Sequence, residues 1–163
     1  MNDIRVGTGY DVHAFAEGRP LVLGGVTIPH ERGLQGHSDA DVLTHAIGDA
    51  MLGAAGLGDI GIHFPDDDAR YRGISSLVLL QRIVDALGES GYTVTNVDAT
   101  VVAERPKLSP HVQRMCSRIG EALGLSDDRV SIKATTSEKL GFTGREEGIA
   151  AHAVVLIRSA DGG

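Results

Sequence analysis

The sequence predicts an α+β protein built on a mixed β-sheet with helices on one face. Apolar residues recur at helical spacing in only three segments, too few for the helices of a doubly wound parallel sheet. Strand-like segments occur near both ends of the chain, and glycine-containing turns separate the elements. The 163 residues, 42% of them hydrophobic, are enough for one core. We therefore expect a single domain over residues 1–163, with a frayed tail at about 159–163.

The first predicted elements are a strand and a hairpin. "IRVGTGYDVHAFA" predicts the strand, and "LVLGGVTIP" predicts the hairpin. Gly24 and Gly25 form the two-residue turn, because tight hairpin turns need residues that tolerate positive φ.

The third predicted element is a helix within "HSDADVLTHAIGDAMLGAAGLGD", where apolar residues recur every three or four positions. Ser38 and Asp41 have the spacing of a capping box, which predicts a start near Asp39. Gly56 and Gly58 mark its end, since glycine commonly follows the last helical residue.

The second half of the chain predicts two more helices and three strands. The third helix has Pro110 at its first helical position and Gly124 at its end. In chain order we expect a polar loop "GIHFPDDDARYRG", a helix "SSLVLLQRIVDALGESG", a strand "YTVTNVDATVVAE", a helix "SPHVQRMCSRIGEALG", a strand "DRVSIKATT", a loop "SEKLGFTGREEG" and a strand "IAAHAVVLIRS".

Composition excludes several classes of protein. The formal net charge is −7 and no Lys/Arg cluster occurs, which argues against a nucleic-acid groove. Cys116 is the one cysteine, so neither a disulfide framework nor a cysteine-based zinc site is expected. No apolar run has the length of a membrane span, and "MNDIRVG" lacks signal-peptide character. We expect a cytoplasmic protein without nucleic-acid or membrane partners.

One constellation of acidic and histidine residues could bind a metal. Asp11 and His13 lie two apart on a strand, so both side chains point to the same face. His45 lies off the apolar stripe of the first helix and offers a third ligand. It is four residues from both Asp41 and Asp49, either of which could accept its other N–H. The alternative is a histidine hydrogen-bonded at the end of a sheet, without metal.

The end of the predicted strand "DRVSIKATT" and the loop that follows it carry oxygen ligands. Thr135, Thr136 and Ser137 supply hydroxyls, and Glu138 supplies a carboxylate just past a strand. This pattern suits Mg²⁺ or Mn²⁺ together with phosphates. Alternatively, these hydroxyls simply end the strand and Glu138 is solvated.

Five stretches, taken together, resemble the 2-C-methyl-D-erythritol 2,4-cyclodiphosphate synthase family. They follow one another in the family's order from about Arg5 to Ile157, without a large insertion. They are "GYDVHAF", "GGVTIPHERGLQGHSDADVLTHAIGDAMLGAAGLGDIG", "FPDDD", "AERPKLSPH" and "KATTSEKLGFTGREEGIAA". The resemblance implies conversion of 4-diphosphocytidyl-2-C-methyl-D-erythritol 2-phosphate to 2-C-methyl-D-erythritol 2,4-cyclodiphosphate with release of CMP, by metal-assisted attack of the 2-phosphate on the β-phosphorus. That reaction belongs to the non-mevalonate isoprenoid route.

The resemblance also implies roles for individual residues. Zn²⁺, one ion per subunit, is expected on Asp11, His13 and His45, and Mg²⁺ or Mn²⁺ on Glu138 with the substrate. The expected catalytic residues are His37 and Thr136. The expected substrate contacts are Asp11, Val12, His13, His37, Ser38, Asp59, Ile60, Gly61, Phe64, Pro65, Asp66, Asp67, Asp68, Ala103, Glu104, Arg105, Pro106, Lys107, Leu108, Ser109, Thr135, Thr136, Ser137, Glu138, Phe142 and Arg145.

The family forms a homotrimer around packed sheets, and the resemblance implies active sites between neighbouring subunits. It also implies a central cavity near Phe142 and Arg145 that could hold an isoprenoid diphosphate. Two residues depart from the family pattern there: Glu146 replaces a frequent Gly, and Tyr10 replaces a Phe found in some relatives.

Two other functions remain compatible with the sequence. A zinc-dependent phosphohydrolase would use a metal-bound water and release free phosphate. A trimeric protein that only binds isoprenoid diphosphates would use zinc structurally, which requires a fourth protein ligand.

Overall fold

A five-stranded mixed sheet forms the centre of the computed structural model, which describes residues 3–160. Its strand order is β4-β1-β7-β5-β6, and β2 and β3 form a separate hairpin. The elements in chain order are β1 Ile4–Ala16, β2 Leu21–Leu23, β3 Val26–Ile28, β4 Gly33–Leu34, α1 Val42–Ala55, α2 Ile60–His63, α3 Ser76–Glu89, β5 Tyr92–Val102, α4 Val112–Leu123, β6 Val130–Thr135, α5 Gly141–Gly144 and β7 Gly148–Ser159.

The predicted mixed α+β class is confirmed. β7 lies antiparallel between β1 and β5, whereas β5 and β6 are parallel. One face of the sheet is buried by helices because alternate residues along the strands are apolar, as in Ile149, Ala151, Ala153, Val155 and Ile157 of β7. The opposite face, on the other set of alternating residues, is exposed.

The long helix α1 packs closely on β1 because both elements present small residues. A Cβ built on Gly7 would lie 2.0 Å from the carbonyl oxygen of Ala50, and one on Gly9 would lie 1.9 Å from that of Ala46. Only glycine permits this approach of backbone to backbone. The contact brings the central turns of α1 against the middle of β1.

The predicted start of the first helix is three residues too early. α1 begins at Val42 with Asp41 as its N-cap, and this carboxylate accepts a hydrogen bond of 3.0 Å from the amide three residues on. Ser38 does not cap α1. Asp39 instead accepts from the backbone amide of Ser76 at 3.0 Å, so it caps the neighbouring helix α3.

Other boundaries agree in part. The Gly24–Gly25 hairpin turn and the helix ends at Gly56 and Gly124 are confirmed. The predicted third helix opens with a 3₁₀ turn at Ser109–His111, and its α-helical part begins at Val112.

Both long predicted loops contain short helices. α2 and a 3₁₀ turn at Ala69–Tyr71 lie in the first, and α5 lies in the second. The short strand β4 has no counterpart among the predicted elements. The predicted tail is wrong at Ser159, which ends β7; positions 161–163 lie outside the described residues.

Nowhere between residues 3 and 160 does a helix combine the length and the apolar character needed to cross a membrane.

Candidate metal centre and nucleotide cleft

Asp11, His13 and His45 converge at the contact of β1 with α1, as the sequence predicts. Their ligand atoms all lie within 4.8 Å of one another. The carboxylate Oδ2 of Asp11 is 3.0 Å from His13 Nε2 and 3.2 Å from His45 Nδ1, and these two nitrogens are 3.2 Å apart. Ligands about 2.0–2.1 Å from a tetrahedral zinc are about 3.3 Å apart, so the cluster has the spacing that such an ion requires.

Each ligand is oriented by a hydrogen bond on its far side. The other oxygen of Asp11 accepts from the amide of Val12 at 2.9 Å, which turns Oδ2 toward the histidines. His13 Nδ1 lies 2.6 Å from the carbonyl oxygen of Gln35, an atom that can only accept. His13 therefore carries its proton on Nδ1 and directs the lone pair of Nε2 into the cluster.

The expectation that Asp41 or Asp49 orients His45 is wrong. Asp41 is fully buried and accepts from the backbone amides of Gly24 and Gly25 at 2.9 and 2.7 Å. Asp49 accepts from the backbone amide at the start of α2 at 2.8 Å. Both carboxylates accept hydrogen bonds from backbone amides. His45 Nε2 instead contacts the hydroxyl groups of Ser38 and Ser76.

Electrostatics keep the cluster in a form that can bind a cation. Partial burial raises the pKa of Asp11, but the hydrogen bonds that His13 Nε2 and His45 Nδ1 donate to it while these nitrogens carry protons outweigh burial and hold that pKa below its ordinary value. Burial lowers the pKa of His13, yet the Asp11 carboxylate raises it more, so the net pKa is raised. Asp11 is thus anionic at neutral pH, and at pH values below its raised pKa His13 must lose the proton on Nε2 before it can bind a metal ion.

His37 and Ser38 adjoin this cluster. His37 Nε2 contacts the carbonyl oxygen of Asp68 at 3.0 Å, which ties the residues before α1 to the 64–68 loop. Ser38 Oγ is 3.2 Å from His45 Nε2. Asp59 caps α2 through the amide of Ile62 at 3.0 Å, and the amide of Ile60 donates to Asp49 at 2.8 Å, which places residues 59–61 beside the middle of α1.

A second group of predicted residues forms a cleft of about 390 Å³ at the ends of β5 and β6. This size suits a small ligand. The cleft is lined by Ala103, Glu104, Pro106, Lys107, Leu108, Ser109, Ala134, Thr135 and Thr136.

The cleft and the metal cluster are separate within one chain. Asp11 pairs with Ala151, which pairs with Val101, which pairs with Ala134, so one row crosses the sheet from β1 to β6. At about 4.8 Å per strand, the two groups are roughly 14 Å apart along that row. The cleft and the metal cluster lie at the same end of the sheet, but none of the three cluster residues lines the cleft.

Several predicted site residues line neither region. Arg105 forms a salt bridge with Glu146 at 2.9 Å, and Arg145 forms one with Glu147. Ser137 Oγ accepts from Thr143 and donates to a backbone carbonyl. Phe142, in α5, is likewise absent from the cleft lining.

Glu138 lies on an unusual turn. Its φ is +54° and that of Lys139 is +63°, a left-handed conformation that side chains other than glycine rarely adopt. The turn is held by the Glu138 amide, which donates to Thr136 Oγ1 at 3.2 Å, and by the Lys139 amide, which donates to Glu104 at 2.9 Å. Consecutive left-handed residues of this kind cluster at functional sites, a signal absent from the residue pattern.

Comparison with known proteins agrees with this geometry. The model of the YgbB family matches residues 4–158. A 2-C-methyl-D-erythritol 2,4-cyclodiphosphate synthase of Syntrophobacter fumaroxidans is 62% identical over 156 residues, which are 96% of this chain and 98% of the relative.

Solved structures match as well. The bifunctional IspDF of Campylobacter jejuni superposes with a TM-score of 0.94 at 46% identity; the match covers 98% of this chain but only 43% of that longer one. A 2C-methyl-D-erythritol-2,4-cyclodiphosphate synthase in a CDP-bound form superposes at 0.86 with 39% identity, covering 94% and 99% of the two chains. The chain is therefore an enzyme, a lyase, and belongs to the YgbB family of 2-C-methyl-D-erythritol 2,4-cyclodiphosphate synthases.

Proposed function

We propose that this chain converts 4-diphosphocytidyl-2-C-methyl-D-erythritol 2-phosphate to 2-C-methyl-D-erythritol 2,4-cyclodiphosphate and releases CMP, in the non-mevalonate isoprenoid route. The observation that carries the proposal is the convergence of Asp11, His13 and His45 at tetrahedral spacing in a chain whose synthase relatives are about 60% identical. Residues 1–163 act as one domain, since one continuous core joins the helices to the sheet.

The metals are Zn²⁺, one per subunit, on Asp11, His13 and His45, and Mg²⁺ or Mn²⁺ on Glu138. Three protein ligands leave a fourth zinc position open to substrate, as in catalytic sites. When bound, the two ions neutralise diphosphate charge and polarise its oxygens, which a chain of net charge −7 cannot do alone.

The residues of the chain bind and orient the substrate for ring closure. The 2-phosphate oxygen bonds to the β-phosphorus, the bond from that phosphorus to the CMP oxygen breaks, and CMP leaves. A phosphate is already largely ionised near neutral pH, so no strong base is required. His37, held by Asp68, and Thr136, at the cleft, steady the reacting phosphates, while Ser38 and the 59–61 and 64–68 segments fold the methylerythritol for in-line attack.

The cytidine binds in the cleft at the ends of β5 and β6. Residues 103, 104 and 106–109 line it on one side, and Thr135 and Thr136 also belong to its lining. The CDP-bound neighbour supports a cytidine diphosphate ligand for this fold. Four predicted substrate contacts do not line the cleft within one chain: Arg105, Ser137, Phe142 and Arg145. They would contact the substrate only when the cleft rearranges or a neighbouring subunit completes the site.

The active enzyme is a homotrimer whose subunits pack through the exposed sheet face. That face carries Val6, Tyr10 and Val154 with exposed fractions of 63%, 52% and 45%, which is unusual for apolar strand residues of a monomer. The separation of cleft and metal cluster within one chain further supports sites shared between subunits. The central cavity near Phe142 and Arg145 accepts an isoprenoid diphosphate, and the enzyme acts in the cytoplasm, where its lone buried Cys116 stays reduced.

The test is CMP release from the diphosphocytidyl substrate with Mg²⁺ present, before and after zinc is stripped from the full chain. We expect stoichiometric CMP and cyclic product, lost on stripping and restored by zinc. Free phosphate released from many esters would instead indicate a phosphohydrolase. Absence of CMP from the zinc-loaded protein would refute the proposal and favour a binding protein.

A further inference from the structure

Ser76 and Asp39 form a relay behind the metal ligand His45. Ser76 is the first residue of α3, has no exposed surface, and places its Oγ 2.8 Å from His45 Nε2, the nitrogen that faces away from the cluster. The Ser76 hydroxyl donates to Asp39 Oδ1, and the Ser76 amide donates to Oδ2 of the same carboxylate at 3.0 Å.

The direction of each hydrogen bond follows from the chemistry of the groups. An ionised carboxylate can only accept hydrogen bonds, so the Ser76 hydroxyl must donate its proton to the hydrogen bond with Asp39. The Ser76 oxygen then offers His45 only lone pairs, so Nε2–H of His45 must be the donor. A neutral imidazole has one such proton, so protonation at Nε2 leaves the Nδ1 lone pair of His45 available to bind a metal ion.

We propose that Ser76 and Asp39 are positioning residues for metal binding: they fix the tautomer and the ring orientation of His45. The inference rests on the proposed metal-dependent function and extends it to residues outside the substrate and metal contacts. Asp39 acts through Ser76 and touches neither metal nor substrate.

Neither Asp41 nor Asp49 can do this. The two acidic neighbours of His45 on its own helix are committed to backbone amides, Asp41 to the hairpin turn and Asp49 to α2. Ser38 Oγ also approaches Nε2, but at the longer distance of 3.2 Å and with its proton not directed to a carboxylate. The relay is also rigid, because Asp39 accepts a further bond from the Asp41 amide at 3.2 Å.

The two histidine ligands are therefore held by different means. His13 is oriented by a backbone carbonyl, which no side-chain substitution removes. His45 is oriented by side chains of a different helix, so its tautomer depends on the packing of α3 beside α1. Removal of such an outer partner costs about 10- to 100-fold in metal affinity.

The experiment compares Ser76→Ala with Ser75→Ala in the full chain. Ser75 is the matched control, because it adjoins Ser76, is exposed and makes no side-chain capping bond. In zinc-stripped protein at alkaline pH, two-bond ¹H–¹⁵N spectra of labelled histidine report which nitrogen of His45 is protonated. Zinc affinity is measured by competition with a chromophoric chelator, and ligand geometry by the visible absorption of the Co²⁺-substituted protein.

We expect Nε2 to be protonated in the unmodified protein and in Ser75→Ala, and the two tautomers to mix in Ser76→Ala. Zinc affinity should fall roughly 10- to 100-fold in Ser76→Ala alone, with an altered Co²⁺ spectrum. A protonated Nδ1 in the unmodified protein, or equal zinc affinity in the two variants, would overturn the inference.

If Ser76→Ala does not fold, the same measurements are made on Asp39→Asn. An amide NH₂ facing Ser76 Oγ donates where the carboxylate accepted, so it turns the serine proton toward His45 and favours Nδ1–H. We expect weaker zinc binding and a larger Nδ1–H population; no change in either would refute the relay. The proposed function fails separately, through lack of CMP release by the zinc-loaded unmodified protein.

Discussion

A single methyl group added at Gly9 should damage the metal site through the backbone. A Cβ there would lie 1.9 Å from the carbonyl oxygen of Ala46 and 2.9 Å from the amide nitrogen of Ala50, although real Cβ contacts essentially never fall below 3.0 Å. Both neighbours are backbone atoms, so no side chain can rotate away. Gly9→Ala must therefore move β1 and α1 apart by about 1.1 Å or more.

That displacement is large on the scale of the metal cluster, because Asp11 and His45 lie close to the clash, on β1 and α1. Fully transmitted, it would lengthen the 3.2 Å separation of Asp11 Oδ2 from His45 Nδ1 to about 4.3 Å, against the about 3.3 Å expected for tetrahedral zinc. The groups of a functional site tolerate displacements of only about 0.5 Å from their productive positions. We expect zinc affinity to fall at least about 10-fold and the free energy of unfolding to fall by about 1–3 kcal/mol.

Gly53→Ala is the matched control, since Gly53 lies on the same helix and faces the same strand. Its Cβ would approach nothing closer than the Thr8 carbonyl oxygen at 3.9 Å, an ordinary contact. The gain in helix propensity should raise the free energy of unfolding by about 0.5–1 kcal/mol. Urea unfolding of the zinc-stripped protein and chelator competition measure both quantities. Equal stability and equal zinc affinity in the two variants would refute the reasoning.

Four further outcomes are expected. His45→Ala should abolish stoichiometric zinc binding and most CMP release, measured by metal analysis and product assay; full zinc with full rate would contradict the ligand assignment. Glu138→Ala should keep zinc but lose the response of the rate to Mg²⁺, and an unchanged Mg²⁺ titration would count against that role. Glu146→Gly should leave the free energy of unfolding nearly unchanged, because release of a φ of +57° offsets loss of the exposed pair with Arg105; a clear loss of stability in urea unfolding would disprove the balance. Zinc affinity should fall about 10-fold per pH unit below the raised pKa of His13, because zinc must displace that proton as pH drops; chelator competition showing no dependence on pH would exclude it.

Local patterns in the sequence were enough to bring together the three candidate ligands of the metal cluster, with the metal-free alternative left open. The two-residue period of a strand places Asp11 and His13 on one face, and the helical period separates His45 from the apolar stripe. Small residues on α1 opposite Gly7 and Gly9 then bring strand and helix together. Each step depends on residues near one another in the chain.

The surroundings of the cluster depend on contacts that no local pattern contains. Asp39 caps a helix that begins 37 residues later, and the capping-box spacing of Ser38 and Asp41 predicted the wrong start for α1. The partner of His45, Ser76, reaches it only because α3 packs beside α1. A pair of serines before an apolar run predicts only a helix cap, and nothing in it indicates a distant histidine.

The pairing of β1 with β7 determines when, during synthesis, the metal cluster can exist. β1 is joined to β7 at every position from Ile4 to Ala14, and its other neighbour, β4, pairs at only two positions. A ribosome delivers β7 more than a hundred residues after β1, so the strand that carries Asp11 and His13 waits unpaired while the rest of the chain is made. If zinc binds at this cluster, we expect it to load late, after closure of the sheet, because earlier in synthesis its ligands are not yet held together.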